Sequence, residues 1–507
     1  MRLTQEQKNI VQELYSDEKI IKASAYSGTG KTSTICEVIK EAKKINSKSK
    51  VLYIVFNKDM ANEAKIKFDT LGLDVDVFTT HSFALRRLQI ILGKKITVMP
   101  NIDMKDYWDL KNKNQRYKYC KVANIKAMFD EFCLNFDKLD DFVYGIKSTK
   151  GKKYKLEKLC IKDVEVDFFK DLYNFFIKND KFLFNMFLKY YACEIADKVK
   201  GYSILCVDEG QDSNFFMINI IKRIICDKLF IFGDKYQSIY GFNRCVNIFE
   251  KFEGKTLPLS ISFRFNNSIC EIANKILDSC FEEFKYGSIK NSHNITEIEN
   301  KKEKTIIFRR NATLFEHSVY LIDNNSNIKV KFMDTVKGMV SGNFDDVFSK
   351  MLYFYDKLLE STESEQLEEF RNKFKIQPFE KEIDYYLDIA NKSGEKLYRY
   401  LHSNKHMLGL DMFKFFNFFL MNERRLVEIL EKVRNSEDND NPDKIYTMVT
   451  AHASKGREWS HVRIAEDAWS LSGNDDKCLA YVACTRAKHA LSAKPIERLL
   501  EEKMCLK

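Results

Sequence analysis

One segment, Ala25-Tyr26-Ser27-Gly28-Thr29-Gly30-Lys31-Thr32, constrains this chain more than any other. It fits the end of the pattern G-x-x-x-x-G-K-[ST], with Ala25 where the first glycine usually sits. It follows the short run Ile20–Ala25 and leads into STICEVIKEAKK, which reads as a helix. An extended run, a glycine loop and a helix start are the context a phosphate-binding loop needs. Gly28 and Gly30 let the backbone turn tightly and aim its N–H groups at phosphate oxygens, and the helix start adds a positive dipole end. Lys31 is expected to reach the β- and γ-phosphates, and Thr32 to hold a Mg²⁺ position. The bland alternative is an ordinary glycine loop before a helix.

Two later segments repeat the arrangement. Tyr202–Asp212 reads YSILCVDEGQD, an apolar run ending in adjacent carboxylates. Such a β-strand carries Asp208 to a sheet edge, where it can bind Mg²⁺, while Glu209 orients the attacking water or takes its proton. A solvated acidic turn is the competing account. In LFIFGDKYQSIYGF, at 229–242, Gly233-Asp234 ends a run and Gln237 lies just beyond it. A neutral amide there can bond a γ-phosphate and report its loss. Tyr240 and Phe242 are placed to stack on bases, against the alternative of two core aromatics.

Bulk properties narrow the class. The 507 residues set a prior of three or four domains. The net charge of +10 is compatible with a polyanionic partner without proving one. Thirteen cysteines include no C-x-x-C pair, so neither a zinc ribbon nor a redox motif is expected, and reduced thiols in cytosol or nucleus are. The start, MRLTQEQKNI, has no apolar signal core, and no apolar run approaches the ~20 residues of a membrane span. FKFFNFFL at 413–420 is far too short. Richness in Lys, Asn, Ile and Phe fits an AT-rich genome, such as a viral one.

Short β-branched runs alternate with longer amphipathic segments, the pattern of α/β units. The expected β-strands are Lys50–Phe56, Ser203–Val207, Leu229–Phe232, Thr305–Phe308 and Ile445–Val449. Helical, aromatic- and lysine-rich stretches fill 85–195 and 313–435. KSTKGKKYKLEK at 147–158 reads as a basic loop or helix edge, and SEDNDNPD at 436–443 as a polar boundary.

Together these motifs resemble superfamily 1 helicases of the UvrD/Rep type. LTQEQ at 3–7 resembles the N-terminal glutamine motif, AYSGTGKT motif I and VFNKDMANEA at 55–64 motif Ia. TTHSFA at 79–84 resembles the motif that follows. VDEGQD resembles motif II, with Gly210 where alanine is usual, and GDKYQSIYGF motif III. SFRF at 262–265, TAHASKGREW at 450–459 and YVACTRAKHAL at 481–491 resemble motifs IV, V and VI. Their order spans nearly the whole chain. F-N-K, S-F-R-F and RRNATLF at 309–315 are closest in flavour to the F-box DNA helicase branch and its viral or bacterial relatives, without an F-box.

The resemblance implies two RecA-like lobes with two mostly helical inserted accessory domains. Lobe 1A would take 1–84 and 196–257, insertion 1B 85–195, lobe 2A 258–335 and 441–507, and insertion 2B 336–440. Lys31, Thr32, Asp208, Glu209 and Gln237 would act with Arg264 and Arg486 on ATP, with Mg²⁺ at Thr32 and Asp208; the competing accounts are a surface charge beside an apolar segment for Arg264 and burial on a helix end for Arg486. Gln7 would read adenine, Phe263 would stack on it, and Glu458 would bond the ribose. Ala25, Gly28, Thr29 and Gly30 would line the phosphates. Phe56, Asn57, His81, Tyr240, Phe242, Thr450 and His452 would lie along single-stranded DNA. The implied activity is a 3′-to-5′ DNA helicase or translocase in replication, repair or recombination. It would act as a monomer on single strands and single/double-strand junctions, with replication or recombination proteins as partners. The alternatives are a translocase without strong unwinding and an ATP-gated sensing module. Three departures stand out: Ala25 itself, Arg457 where leucine is typical, and Gly241-Phe242-Asn243-Arg244, in which the arginine of the usual W-R-G or F-R-G is displaced by one position.

Overall fold

The computed structural model describes residues 3–241, 244–285, 287–291, 303–325, 327–333, 418, 421–422, 425–437, 439–440 and 442–505. They form two compact units, Met1–Ser260 and Ile261–Lys507, each built on a parallel sheet flanked by helices. This is the α/β class expected.

The first unit contains β1 (Ile20–Ala25), β2 (Val51–Val55), β3 (Asp76–Thr79), β4 (Thr97–Met99), β5 (Lys181–Leu183), β6 (Ile204–Val207), β7 (Lys228–Gly233) and β8 (Lys255–Leu259). Six form one sheet in the order β3-β2-β6-β7-β1-β8, with every neighbouring pair parallel. Helices cover both faces of such a sheet, so its central β-strands are continuous apolar runs. VLYIV of β2 and ILCV of β6 are buried throughout.

Successive side chains of a β-strand point to opposite faces. Val51, Tyr53 and Val55 pack with Ile35, Val38 and Ile39 of the helix Lys31–Ile45. Leu52 and Ile54 face a second core, which runs without a break into Phe129, Phe132, Phe168, Phe169 and Phe176. Residues 85–195 are therefore joined to the sheet through a shared aromatic core. They carry the helices Met104–Asn112, Val122–Phe132, Leu139–Thr149 and Asp163–Lys178, together with the short pair β4–β5.

The second unit contains β9 (Ile261–Ser262), β10 (Lys290–Asn291), β11 (Glu303–Phe308), β12 (Ile328–Phe332), β13 (Lys444–Thr450), β14 (Trp459–Ile464) and β15 (Ala487–Ser492). Five form a parallel sheet in the order β12-β13-β11-β14-β15. Asp467 closes the start of the helix Asn311–Asn324. Its carboxylate accepts the N–H groups of Arg309 and Arg310 at 2.8 Å each, and the Thr313 hydroxyl at 3.0 Å. Negative charge at a helix N-terminus is favourable. Most of 336–440 lies outside the described residues. No helix among those described is long and apolar enough to cross a membrane.

All five expected β-strands are present, with shifted ends. Those not anticipated include the four edges of the two large sheets, β3, β8, β12 and β15, the short pairs β4–β5 and β9–β10, and the interior β14. An edge needs no continuous apolar run, and it tolerates a proline such as Pro258 in β8.

Candidate nucleotide site

Because the first sheet is all parallel, the segments after β1, β2, β3, β6 and β7 leave from one edge. In open α/β sheets that carboxyl edge is where ligands bind. The loop after β1 turns through Gly28 at φ 74° and Gly30 at φ 78°, a region that penalises a Cβ. Gly30 N-caps the helix Lys31–Ile45 with no side-chain cap, so none of the cap's own atoms competes for the first-turn N–H groups. Ser27 and Thr29 are buried, and the Thr29 hydroxyl donates to the Tyr26 carbonyl at 2.9 Å. Tyr26 stacks on Tyr236 with ring centres 6.0 Å apart. Ala25 is buried at the end of β1, and Thr32 is partly exposed in the first helical turn.

Lys31 Nζ lies 3.3 Å from Glu209 Oε1. Asp208 is buried at the end of β6. Its Oδ2 accepts the Tyr53 hydroxyl at 2.7 Å and its Oδ1 accepts the Glu209 N–H at 2.9 Å. Burial and the Glu209 charge push the Asp208 carboxyl up to about 6, against the pull of Lys31. Glu209 adopts φ 51°, left-handed for a residue with a Cβ and a strained placement of the kind found at functional sites. The Asp208 carboxylate and the Thr32 hydroxyl are hard oxygen donors, which would suit a divalent cation. The donor set fits Mg²⁺.

Gln211 joins this pair to the next β-strand end. Its Nε2 donates to Glu209 Oε2, and its Oε1 accepts the Asp234 N–H at 3.1 Å. Asp234 is fully buried, and burial raises its pKa. Its Oδ2 accepts Gln237 Nε2 at 2.8 Å and its Oδ1 the Tyr236 N–H at 3.1 Å. Lys31, Glu209, Gln211, Asp234 and Gln237 thus form one connected chain of polar groups. Sequence reasoning missed Tyr53 and Gln211. A tyrosine inside the aliphatic run VLYIV was the available signal, because a buried phenol needs a hydrogen-bond partner.

Other expected residues sit as follows. Gln7 is buried in the helix Gln5–Gln12, its Oε1 accepting the Thr4 N–H at 3.0 Å in a capping box. Phe56 stacks on Tyr240 at 5.1 Å and 17°. Asn57 caps the helix Lys58–Thr70 by accepting the Met60 N–H at 2.9 Å. His81 is 8% exposed, stacks on Phe184 at 4.4 Å and meets Phe187 edge-on. Burial holds its pKa down at about 4. Phe242 lies outside the described residues.

In the second unit, Arg264 Nε donates to Glu458 Oε2 at 2.8 Å and Nη1 to the Thr485 carbonyl at 3.3 Å. Burial raises the Glu458 carboxyl, but Lys488 and Arg264 outweigh it and leave the pKa lowered. Phe263, between Ser262 and Arg264, is partly buried. Arg486 is 1% exposed; its guanidinium donates to the Val482 carbonyl at 2.9 Å, the Arg457 carbonyl at 3.3 Å and the Thr485 hydroxyl at 3.2 Å. Thr450 ends β13, its hydroxyl accepting the Ala453 N–H at 3.4 Å, and His452 lies in the turn beyond. Parallel pairing puts Thr450 and His452 at the carboxyl edge of this sheet. Glu458 and Arg486 immediately precede β14 and β15, at its amino edge.

A glycine loop ending in lysine, with paired carboxylates at a nearby parallel β-strand end, defines a P-loop nucleotide-binding protein. Residues 3–256, half of the chain, match the UvrD/REP helicase N-terminal domain, and the chain belongs to the UvrD/REP helicase family. It is 25% identical to F-box DNA helicase protein 1 of Schizosaccharomyces pombe over a 538-residue alignment, covering 96% of this chain and 57% of that protein. It is 24% identical to F-box DNA helicase 1 of Gallus gallus over 546 residues, covering 99% of this chain and 50% of that one. The chain spans about half the length of these curated relatives.

Proposed function

We propose that this protein is an ATP-dependent DNA helicase or translocase that moves 3′-to-5′ on single-stranded DNA, in replication, repair or recombination. The connected network Lys31–Glu209–Gln211–Asp234–Gln237, beside the Asp208 carboxylate, is the observation that carries the reading. The domain scheme is part of the proposal: lobe 1A from 1–84 and 196–257, insertion 1B from 85–195, lobe 2A from 258–335 and 441–507, and insertion 2B from 336–440.

ATP with Mg²⁺ supplies the reacting phosphoanhydride. Loop N–H groups and Lys31 hold its phosphates, Thr32 and Asp208 hold the metal, and Glu209 accepts the proton of the attacking water. Gln237 reports the γ-phosphate. Gln7, Phe263 and Glu458 orient the nucleoside. Arg264 and Arg486 stabilise charge developing on the γ-phosphoryl group, as planar, permanently charged guanidinium groups do. Both first exchange the partners they hold within their own unit. The Phe56–Tyr240 stack, with Asn57, His81, Phe242, Thr450 and His452, grips the DNA strand, so that loss of phosphate loosens the grip and the strand advances.

The same bonding of Arg264 and Arg486 supports a second reading, an ATP-gated DNA-binding module with slow turnover. Strand displacement on 3′-tailed and 5′-tailed duplexes with ATP separates the accounts. The helicase reading expects displacement from the 3′ tail alone. DNA binding that follows nucleotide but yields neither displacement nor repeated turnover supports the second.

A further inference from the structure

Arg244 occupies an unusual position. It follows the segment after Gln237 and holds φ 53°, left-handed for a residue with a Cβ. Its guanidinium turns toward residues 85–195, where Nη2 pairs with Glu131 and Nη1 donates to the Leu134 carbonyl at 3.1 Å. Glu131 lies in the last turn of the helix Val122–Phe132 and Leu134 just beyond its C-cap, Cys133, where carbonyl groups concentrate negative charge. The next two residues are tied the other way. Cys245 Sγ donates to the Asp212 carbonyl at 3.0 Å, and the Val246 N–H donates to the Ser213 carbonyl at 3.0 Å. Asp212 in turn donates its N–H to the Glu209 carbonyl at 3.1 Å. Three consecutive residues therefore bridge the loop behind the paired carboxylates and the helical insertion.

We propose that Arg244 is a positioning residue, a strut that couples the nucleotide site to the insertion through Glu131 and the Leu134 carbonyl. The inference rests on the nucleotide reading of Lys31, Asp208 and Glu209. Arginine suits the task because its rigid fork bonds a carboxylate and a carbonyl at once, whereas lysine offers a single point of charge. The bridge belongs to neither phosphate nor metal binding, so basal hydrolysis does not depend on it. Motion in the loop after Asp208-Glu209 passes to the helix Val122–Phe132 through it, and motion of the insertion returns to the site by the same path.

The test uses the full chain with Arg244→Ala, Glu131→Ala, the double variant and the exchange Arg244→Glu/Glu131→Arg. Basal ATP turnover stays within about twofold in all four. DNA-stimulated turnover falls about 2- to 30-fold in each single variant, the range expected when coupling residues are altered. The double variant falls no further than the singles, and the exchange recovers part of the loss. Hydrogen exchange of residues 122–134, with and without the imido analogue of ATP and Mg²⁺, reads the strut directly. The analogue changes protection there in the unsubstituted chain but not in either single variant. Failure to bind the analogue would sink the nucleotide reading and the strut with it. Binding without any change at 122–134 overturns the strut alone. So does weaker DNA binding with a shallower salt dependence in Arg244→Ala but not in Glu131→Ala, which would make Arg244 a phosphate contact.

Discussion

The two units handle their charged residues in opposite ways. In the first, the groups assigned to chemistry are already joined to one another: Lys31 to Glu209, Glu209 to Gln211, and Gln211 through Asp234 to Gln237. In the second, Arg264 is held by Glu458, and Arg486 is buried against the carbonyls of Val482 and Arg457. The sheets differ too. Every expected nucleotide or DNA residue placed in the first unit after β1 leaves the carboxyl edge of its sheet. The second unit divides them, with Thr450 and His452 at one edge and Glu458 and Arg486 at the other. One unit thus has its polar groups already joined to one another, while the other keeps its arginines bonded to partners of its own.

The largest expected effect breaks the first unit's network. Lys31→Ala removes the loop's only side-chain cation and is expected to lower ATP turnover by about 10³-fold or more, measured as phosphate release. Turnover near that of the unsubstituted chain would remove the first unit's claim to chemistry. Next comes the second unit. Arg264→Ala is expected to slow turnover about 10²- to 10³-fold while leaving thermal stability nearly unchanged, because its ion pair with Glu458 is partly exposed. If stability falls and turnover holds, Arg264 is a structural residue and the contrast between the units fails.

Tyr53→Phe sharpens the first unit further. It deletes the hydroxyl that donates to Asp208 and is expected to weaken Mg²⁺ dependence of turnover by about 10-fold, as second-layer partners of metal ligands do. A magnesium titration checks it, and an unchanged midpoint would make the phenol a packing feature. The smallest effect is one of pH. His81 titrates near 4 when folded, because burial disfavours its charged form, and at about 6.5 when unfolded. The unfolded chain therefore binds the extra proton between these values. Stability from this residue is present in full above about 6.5 and is lost as pH falls toward 4, by on the order of 1–3 kcal/mol. Denaturant unfolding at pH 7 and pH 5 should show a slope that His81→Phe reduces.

Much of the first unit was legible in the residues because its chemistry sits on short contiguous motifs at the ends of buried β-strands. AYSGTGKT and VDEGQD each begin on the last residue of a β-strand and add a turn and polar groups in sequence order. The links between motifs were not legible. Tyr53 reaches Asp208 from a β-strand 155 positions away, and Gln211 meets Asp234 across two β-strand ends. Edge β-strands such as Asp76–Thr79 also escaped notice, since they lack the run that burial on both faces imposes. For Arg486, burial at a helix end was legible as the competing account and is what the fold shows, whereas the carbonyls that receive its guanidinium, those of Arg457 and Val482, were not.

The central claim is that the first unit's network turns over ATP in response to DNA. It is tested most directly by phosphate release from the purified chain with Mg²⁺ and ATP, with and without single-stranded DNA. The account predicts many turnovers per protein molecule and a marked rise when DNA is added. Turnover that is absent, or present and indifferent to DNA, would contradict it.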